Sequence, residues 1–143
     1  YFNAKHYAEA EKILKEITKD LTYPKLDQVA MKLAQIYEIQ KRHDLVEDQL
    51  KSATKENPGN CTAWYQLGSV QKEKGNYAEA IQSLKGAVKG VCYKNPEVHY
   101  EIANLLLKAR DLPKAKVKLL EIIQLFPTSE WASRSEATLN MIR

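Results

Sequence analysis

The sequence of 143 residues is poor in glycine, proline and cysteine, with five, five and two of them respectively. So few turn-forming residues argue against a loop-rich all-β fold. Two cysteines in a chain of this length make neither a disulfide scaffold nor a four-ligand zinc motif. Free thiols are the expected state of Cys61 and Cys92. A disulfide between them is the alternative, because the start of one helix and the end of its partner lie at the same end of a helical hairpin.

Long apolar runs and a strong excess of one charge are also missing. No stretch approaches the ~20 apolar residues of a membrane span, and no signal-peptide core stands at the N-terminus, so we expect no direct membrane insertion. The net charge of +4 comes from 22 basic and 18 acidic residues. Lys and Glu are interspersed, as in Lys72-Glu73-Lys74, which is typical of a solvated helix face rather than of a nucleic-acid surface.

Motifs that carry catalysis are absent from the sequence. We find no nucleophile motif, Walker loop, dinucleotide fingerprint or paired-histidine metal motif. The three histidines, His6, His43 and His99, are far apart, and a structural or solvent-facing role is expected for each. The sequence therefore predicts a protein that is not an enzyme and uses no cofactor or metal.

An internal repeat with a period near 35 residues is the strongest signal present. Leucines recur at spacings of 36, 34 and 35 residues, at Leu14, Leu50, Leu84 and Leu119. The same register aligns a second, mostly small column: Ala10, Val46, Ala80 and Ala115. A third column pairs an aliphatic with a small residue: Leu33-Ala34, Leu67-Gly68 and Ile102-Ala103. Coincident columns at one period predict stacked copies of one structural unit.

Each unit contains two helical patterns separated by a short break. In the middle unit Gly75 is expected to adopt the left-handed conformation that ends a helix. Asn76 is next in the chain as the predicted N-cap of the second helix, and Glu79 completes an arrangement like a capping box. In the third unit Asp111 takes the same capping position, and Pro113 lies in the first turn, where a missing N–H costs little. The unit is therefore a helix–turn–helix pair.

The middle unit resembles the tetratricopeptide repeat (TPR) family. Its matching residues are Trp64-x-x-Leu67-Gly68, Tyr77-Ala78-Glu79-Ala80, Leu84 and Ala87. The resemblance implies an all-α fold, a right-handed TPR superhelix (α-solenoid) of antiparallel helix pairs. Small residues such as Gly68 are expected where paired helices approach closely, with Leu84 and Trp64 filling the spaces between them.

The resemblance covers nearly the whole chain as a single domain, residues 1–143. It divides the domain into a partial repeat at 1–24, repeats at 27–60, 61–95 and 96–129, and a terminal helix at 130–143. Tyr1 and Phe2 fall in the middle of a first helix, and Ala137 takes the small column of the last one. The chain thus starts inside a repeat, and at Tyr1 rather than Met, which leaves open that a leader or further repeats have been removed.

In TPR proteins certain positions of each first helix line a concave groove that binds partners. Carried over to this chain, the predicted groove positions are Gln28, Met31, Lys32, Gln35, Tyr65, Gln66, Ser69, Lys72, Tyr100, Glu101, Asn104 and Lys108. Two tyrosines with several amides suit an extended peptide or a partner helix, because amides can pair with exposed backbone. The basic clamp that binds chaperone C-termini is not reproduced, since Glu97 and Glu101 would repel a terminal carboxylate.

The sequence therefore predicts a scaffold or adaptor module for a protein or peptide partner, without nucleic acid. Two alternatives stay open at this point: a self-association module that stacks end to end as a homo-oligomer, and an auxiliary domain of a larger enzyme. The compartment is also open between the cytoplasm and the bacterial periplasm or envelope. A short segment, Pro127 to Ala132, resembles bacterial envelope TPR proteins.

Overall fold

The computed structural model describes residues 4–20 and 24–142, and for Ala4 and Lys5 only the backbone. These residues form α-helices and one short 3₁₀ helix, with no strand among them, which confirms the all-α fold. The helices are α1 (Ala4–Thr18), α2 (Leu26–Ile39), α3 (His43–Glu56), α4 (Cys61–Glu73), α5 (Tyr77–Gly86), the 3₁₀ helix (Gly90–Cys92), α6 (Pro96–Lys108), α7 (Leu112–Leu125) and α8 (Glu130–Ile142). None of the helices described is long and apolar enough to cross a membrane. Tyr1 and Phe2 lie outside the described residues.

The chain divides into two compact units, Tyr1–Leu67 and Gly68–Arg143, and the boundary falls within α4. In the first unit α2 packs against both α1 and α3. In the second unit α6 packs against α5 and α7, and α8 packs against α7 and, less extensively, α6. Because the turns between paired helices are only a few residues long, sequence neighbours form antiparallel hairpins.

Small residues lie where paired helices cross. A Cβ atom added to Gly68 would lie 2.7 Å from both Cγ and Cδ2 of Leu84 and 3.3 Å from the carbonyl oxygen of Ala80. This contact confirms the predicted close approach of α4 and α5. Sixteen residues separate each buried small residue from the buried leucine of the second helix: Ala34 and Leu50, Gly68 and Leu84, Ala103 and Leu119.

The last helix departs from this pattern, because Ala137 is exposed. In the repeats, the small residue at the equivalent position is covered by the second helix of the pair, which begins about ten residues later. Among the described residues no helix comes after α8. The buried residues of α8 are instead Ala132, Ser135 and Leu139. Leu139 joins the apolar cluster of α6 and α7. Within the part of the chain that the structure describes, α8 packs against α7 and α6.

Helix ends agree with the sequence signals with one exception. Gly75 has a φ of 82°, in the left-handed region that Gly tolerates best, as predicted. Asp111 caps α7, since its Oδ1 accepts a hydrogen bond of 3.2 Å from the backbone N–H of Lys114, and Pro113 lies in the first turn. The prediction of a capping bond from Asn76 is wrong: it occupies the N-cap of α5, but its side chain makes no capping bond. Asn76 is exposed, so water can satisfy its amide at little cost.

Buried polar contacts join the helices of the first unit. The carboxylate of Asp27, at the start of α2, accepts hydrogen bonds from Asn57 Nδ2 at 3.1 Å and Asn60 Nδ2 at 2.8 Å. Asn60 Oδ1 also accepts from the backbone N–H of Ala63 at 3.0 Å, which caps the start of α4. Because Asp27 is buried, these two amides supply the partners that its charge requires.

A second polar network fixes α1 to the following helices. Glu11 accepts hydrogen bonds from Tyr37 Oη at 3.1 Å, Arg42 at 3.1 Å and Lys15 Nζ at 2.9 Å. The guanidinium of Arg42 also stacks 4.8 Å from the centre of the Tyr37 ring. Burial opposes ionisation of Glu11, but the hydrogen bonds from Lys15 and Tyr37 and the charges of Lys15 and Arg42 outweigh it. Its pKa is held below the ordinary value of 4.5.

The state of the cysteines differs from the expectation. Cys61 and Cys92 are both disulfide-bonded, and neither is a free thiol. The prediction of free thiols is wrong because it rested on how often cysteines are unpaired in general, which takes no account of where a fold places a particular pair.

Candidate partner-binding surface

The predicted positions on α2 form one face of that helix. Gln28, Lys32 and Gln35 are four and three residues apart, which places them on one side of a helix, and all three are exposed. Met31 is different, because it is half-buried against the alanine cluster of the first unit and its Sδ accepts a hydrogen bond from Asn60 at 3.1 Å. Of the four α2 residues, three are thus accessible to a partner and Met31 contributes mainly to packing.

The predicted positions on α4 differ in exposure. In the first unit Tyr65 is half-buried and Gln66 is exposed. In the second unit Ser69 and Lys72 are half-buried. Trp64 is only half-buried, and its Nε1 donates a hydrogen bond of 2.9 Å to the carbonyl oxygen of Pro58, so it also holds the turn before α4. Gln66 is the most accessible of the predicted α4 positions.

The predicted positions on α6 form a row in the second unit. Tyr100, Asn104 and Lys108 recur every four residues and so share a helix face, with Glu101 beside them. Tyr100, Glu101 and Asn104 are half-buried and Lys108 is exposed. Lys108 Nζ lies 5.9 Å from the ring centre of Tyr77 on α5, within the range of a cation–π contact.

Tyr100 is already engaged with α8. Its hydroxyl lies 3.0 Å from Thr138 Oγ1, and its ring centre lies 5.4 Å from that of Trp131 in a tilted arrangement. The tyrosine ring also packs against the apolar cluster of α6, α7 and α8. Tyr100 therefore helps to attach α8 to α6, and only part of its surface is available to a ligand.

Two residues of α8 extend this surface and do not belong to the predicted set of twelve. Trp131 is half-buried beside Tyr100, and the guanidinium of Arg134 lies 4.6 Å from its ring centre. Arg134 is exposed and also pairs with Glu130 at 3.6 Å. The groove row carried over from the family does extend to Arg134 and Thr138, and Trp131 shares their helix face at a spacing of i, i+3 and i+7. We refer to Tyr100, Asn104, Lys108, Trp131 and Arg134 as the α6–α8 surface.

Asn104 is the polar centre of the α6–α8 surface. Its side chain is half-buried, and it has no hydrogen-bond partner among the residues that the structure describes. An amide offers both N–H donors and a carbonyl acceptor, the same groups as a peptide backbone. The α6–α8 surface thus combines aromatic area, two cations and an amide that is free to bind.

A pocket of about 380 Å³ lies at the turn between α2 and α3, lined by residues 41–45. One of its lining residues, Arg42, donates a hydrogen bond of 3.1 Å to Glu11. Within residues 4–20 and 24–142, no group of three or more histidine, cysteine, aspartate and glutamate side chains could hold a metal ion. We therefore take the α6–α8 surface, rather than this turn, as the candidate binding site.

Helix pairs that repeat every 35 residues, with a small residue at each crossing, define a helical-repeat protein of the tetratricopeptide type. The family model described as the tetratricopeptide repeat protein 21 C-terminal ARM domain matches residues 1–132. The chain therefore belongs to that family.

A curated relative supports the assignment. Tetratricopeptide repeat protein 21B of Mus musculus is 27% identical over 132 residues, covering 90% of this chain and 10% of the relative. The chain spans no more than a tenth of the length of the curated relatives it matches.

Solved structures share the fold. A tetratricopeptide repeat protein from Parabacteroides merdae matches with a TM-score of 0.73 and 19% identity, over 93% of this chain and 52% of that one. The type III secretion chaperone SycD of Yersinia enterocolitica, in complex with a peptide of the translocator YopD, matches with a TM-score of 0.66 and 20% identity. That match covers 86% of this chain and 95% of SycD. At these identities the likeness concerns the fold.

Proposed function

We propose that the chain is a protein-interaction module that binds an extended peptide or a helix of a protein partner. The residues that bind it are the predicted positions of the first helices, most of all the α6–α8 surface. The observation that carries the proposal is the half-buried amide of Asn104, which has no partner among the described residues and shares a face of α6 with Tyr100 and Lys108. The fold supports the proposal, since the similar chaperone SycD was solved with a peptide.

The chemistry of the α6–α8 surface suits a polypeptide. Asn104 can donate to a backbone carbonyl and accept from a backbone N–H, which fixes the direction of an extended chain. Trp131 and the exposed part of Tyr100 supply rigid apolar area next to it. Lys108 and Arg134 lie on the two helices of the surface and are exposed, so acidic side chains of the partner are favoured there.

Photo-crosslinking in cells tests which face binds. A benzophenone amino acid is placed at Gln35, Gln66 or Lys108, which are exposed and belong to the predicted set, and at Gln82 or Gln124 as controls. The controls are exposed positions on the second helices α5 and α7. We expect polypeptide adducts from the first set and few from the controls. Equal or stronger adducts from the control positions would contradict the proposal.

An amide deletion tests the role of Asn104. Asn104→Ala removes its hydrogen bonds to the partner, each of which is worth about 0.5–1.5 kcal/mol, so the crosslinked partner should bind about two- to tenfold more weakly for each bond lost. Asn140→Ala is the matched control, because Asn140 is an exposed asparagine on α8 outside the α6–α8 surface. Helical circular dichroism should be unchanged in both variants. If both bind the partner as the unaltered chain does, Asn104 has no part in recognition.

Self-association is a second candidate function, favoured by the exposed face of α8. Ala137 is exposed and Met141 is 84% exposed, although both belong to residue types that pack well between helices. Stacking of two copies through this face would cover them. Light scattering coupled to size exclusion, at several concentrations, distinguishes the two functions. A mass that rises with concentration and falls back in Met141→Lys supports stacking, and a constant monomer mass rules it out.

A further inference from the structure

His99 is a buried imidazole with one bonded and one unbonded nitrogen. It lies on α6, is 3% exposed, and packs against the Phe126 ring with 5.3 Å between ring centres. Its Nε2 lies 2.7 Å from the carbonyl oxygen of Tyr93, in the connection between α5 and α6. Its Nδ1 is buried and has no hydrogen-bond partner among the residues that the structure describes. The imidazole thus joins α6 to this connection while leaving one polar atom unsatisfied.

The contacts of His99 determine which proton it carries. A carbonyl oxygen only accepts hydrogen bonds, so Nε2 must carry the hydrogen that is donated to Tyr93. Nδ1 is then an unprotonated lone pair in an apolar environment. A second proton at Nδ1 would create a buried cation whose new N–H has no acceptor, and both effects are unfavourable.

The charged groups near His99 do little to stabilise a protonated imidazole. Lys118 and Glu121, both on α7, are the two whose charges bear on it, and they are paired with each other at 3.5 Å. Burial lowers the pKa of His99 below its ordinary value of 6.5, the Lys118 charge lowers it further, and the Tyr93 carbonyl and Glu121 offset this only in part. Lys118 is itself largely buried, so its charge is poorly screened.

We propose that His99, which joins α6 to the α5–α6 connection and packs against Phe126, makes the stability of this region pH-sensitive: the folded form keeps the imidazole neutral and is therefore disfavoured in acid. The unfolded chain takes up the proton at a pH near 6.5, whereas the folded chain resists it. The stabilising effect of neutral His99 is therefore complete above pH 6.5 and is lost as the pH falls below that value. The unfolding equilibrium constant should rise by up to about tenfold for each pH unit in this window.

The test compares unfolding by urea at pH 7.5 and pH 5.5. His99→Gln retains an amide that can donate to Tyr93 and does not titrate, so most of the change of up to about tenfold that we expect of the unaltered chain should disappear in this variant. His43→Gln is the control, because His43 is exposed and lies on α3. It should keep the pH dependence of the unaltered chain. If His99→Gln responds to pH as strongly as the unaltered chain, the proposal is wrong.

A spectroscopic measurement covers the case in which His99→Gln does not fold. Long-range proton–nitrogen correlation spectra of the unaltered chain report the tautomer and the charge of each imidazole. We expect His99 as the neutral form with hydrogen on Nε2 at pH 7.5 and still mostly neutral at pH 6.5. Hydrogen exchange, corrected for intrinsic rates, should quicken in the connection and in α6 below pH 6.5. An imidazolium already dominant at pH 6.5, or the opposite tautomer, would overturn the inference.

Discussion

The crossing of α4 and α5 allows a test of how strongly the stability of a helix pair depends on a single small residue. Replacing Gly68 by Leu places the new Cβ 2.7 Å from two carbons of Leu84, which is 1% exposed and has no open side to move into. Because Gly68 is itself buried, the remaining three carbons of the new side chain must also be accommodated in the interior. Overpacking of a core costs about 1–3 kcal/mol, and four inserted carbons place this change near the upper end of that range.

A gain in helix propensity must be subtracted from this cost. Glycine is about 0.8–1 kcal/mol less favourable than alanine in a helix interior, and leucine is close to alanine, so the substitution gains nearly that amount of helix propensity. The net expectation is a loss of about 2 kcal/mol in the free energy of unfolding. Urea denaturation followed by far-ultraviolet circular dichroism measures it. Gln66→Leu, an exposed position on the same helix, is the control and should lie within about 0.5 kcal/mol of the unaltered chain.

A double substitution shows whether the cost arises from the Leu84 contact. Leu84→Ala alone leaves a cavity and should cost about 2–5 kcal/mol. In the double variant the leucine at position 68 can occupy part of that cavity, so the combined loss should be smaller than the sum by about 1 kcal/mol or more. A Gly68→Leu variant as stable as the unaltered chain would refute the reasoning, because helix propensity alone would then decide the outcome. Strictly additive losses would place the clash elsewhere.

Two further predictions concern the polar contacts of the first unit. Glu11→Gln removes a charge that Tyr37 and two cations stabilise, so it should cost about 1 kcal/mol at pH 7. Because the pKa of folded Glu11 lies below 4.5, that stability is present above pH 4.5 and is lost as the pH falls through the folded value, so urea midpoints of variant and unaltered chain should converge as the pH is lowered below 4.5. Asn60→Ala deprives the buried carboxylate of Asp27 of its 2.8 Å hydrogen bond and should cost about 1–3 kcal/mol in the same assay, whereas a loss below 0.5 kcal/mol would mean that water replaces the amide.

Local features of the fold could be read from the sequence because they depend on helix geometry alone. Apolar and small residues at a fixed period predicted the helix pairs, and the Leu67-Gly68 column predicted the crossing with α5. Gly75 and Asp111 marked helix ends through properties of single residues, namely tolerance of positive φ and a short side-chain acceptor. The division of the domain into repeats at the stated bounds and the full set of twelve binding positions stay predictions.

Only the tertiary structure shows which of those side chains are accessible to a partner. Residues that contact each other across helices are far apart in sequence, so no local sequence pattern predicts the contact. The sequence places Tyr100 among the exposed groove residues. In the structure its hydroxyl is hydrogen-bonded to the hydroxyl of Thr138, which lies 38 residues further along the chain. His99 is, in the sequence, one of three scattered histidines with a structural or solvent-facing role. Only its packing against Phe126 and its hydrogen bond to the Tyr93 carbonyl make it a buried imidazole with one bonded nitrogen. The sequence alone determines which residues share a helix face, because an α-helix has 3.6 residues per turn. Whether a side chain on that face is buried depends on which other helices pack over it.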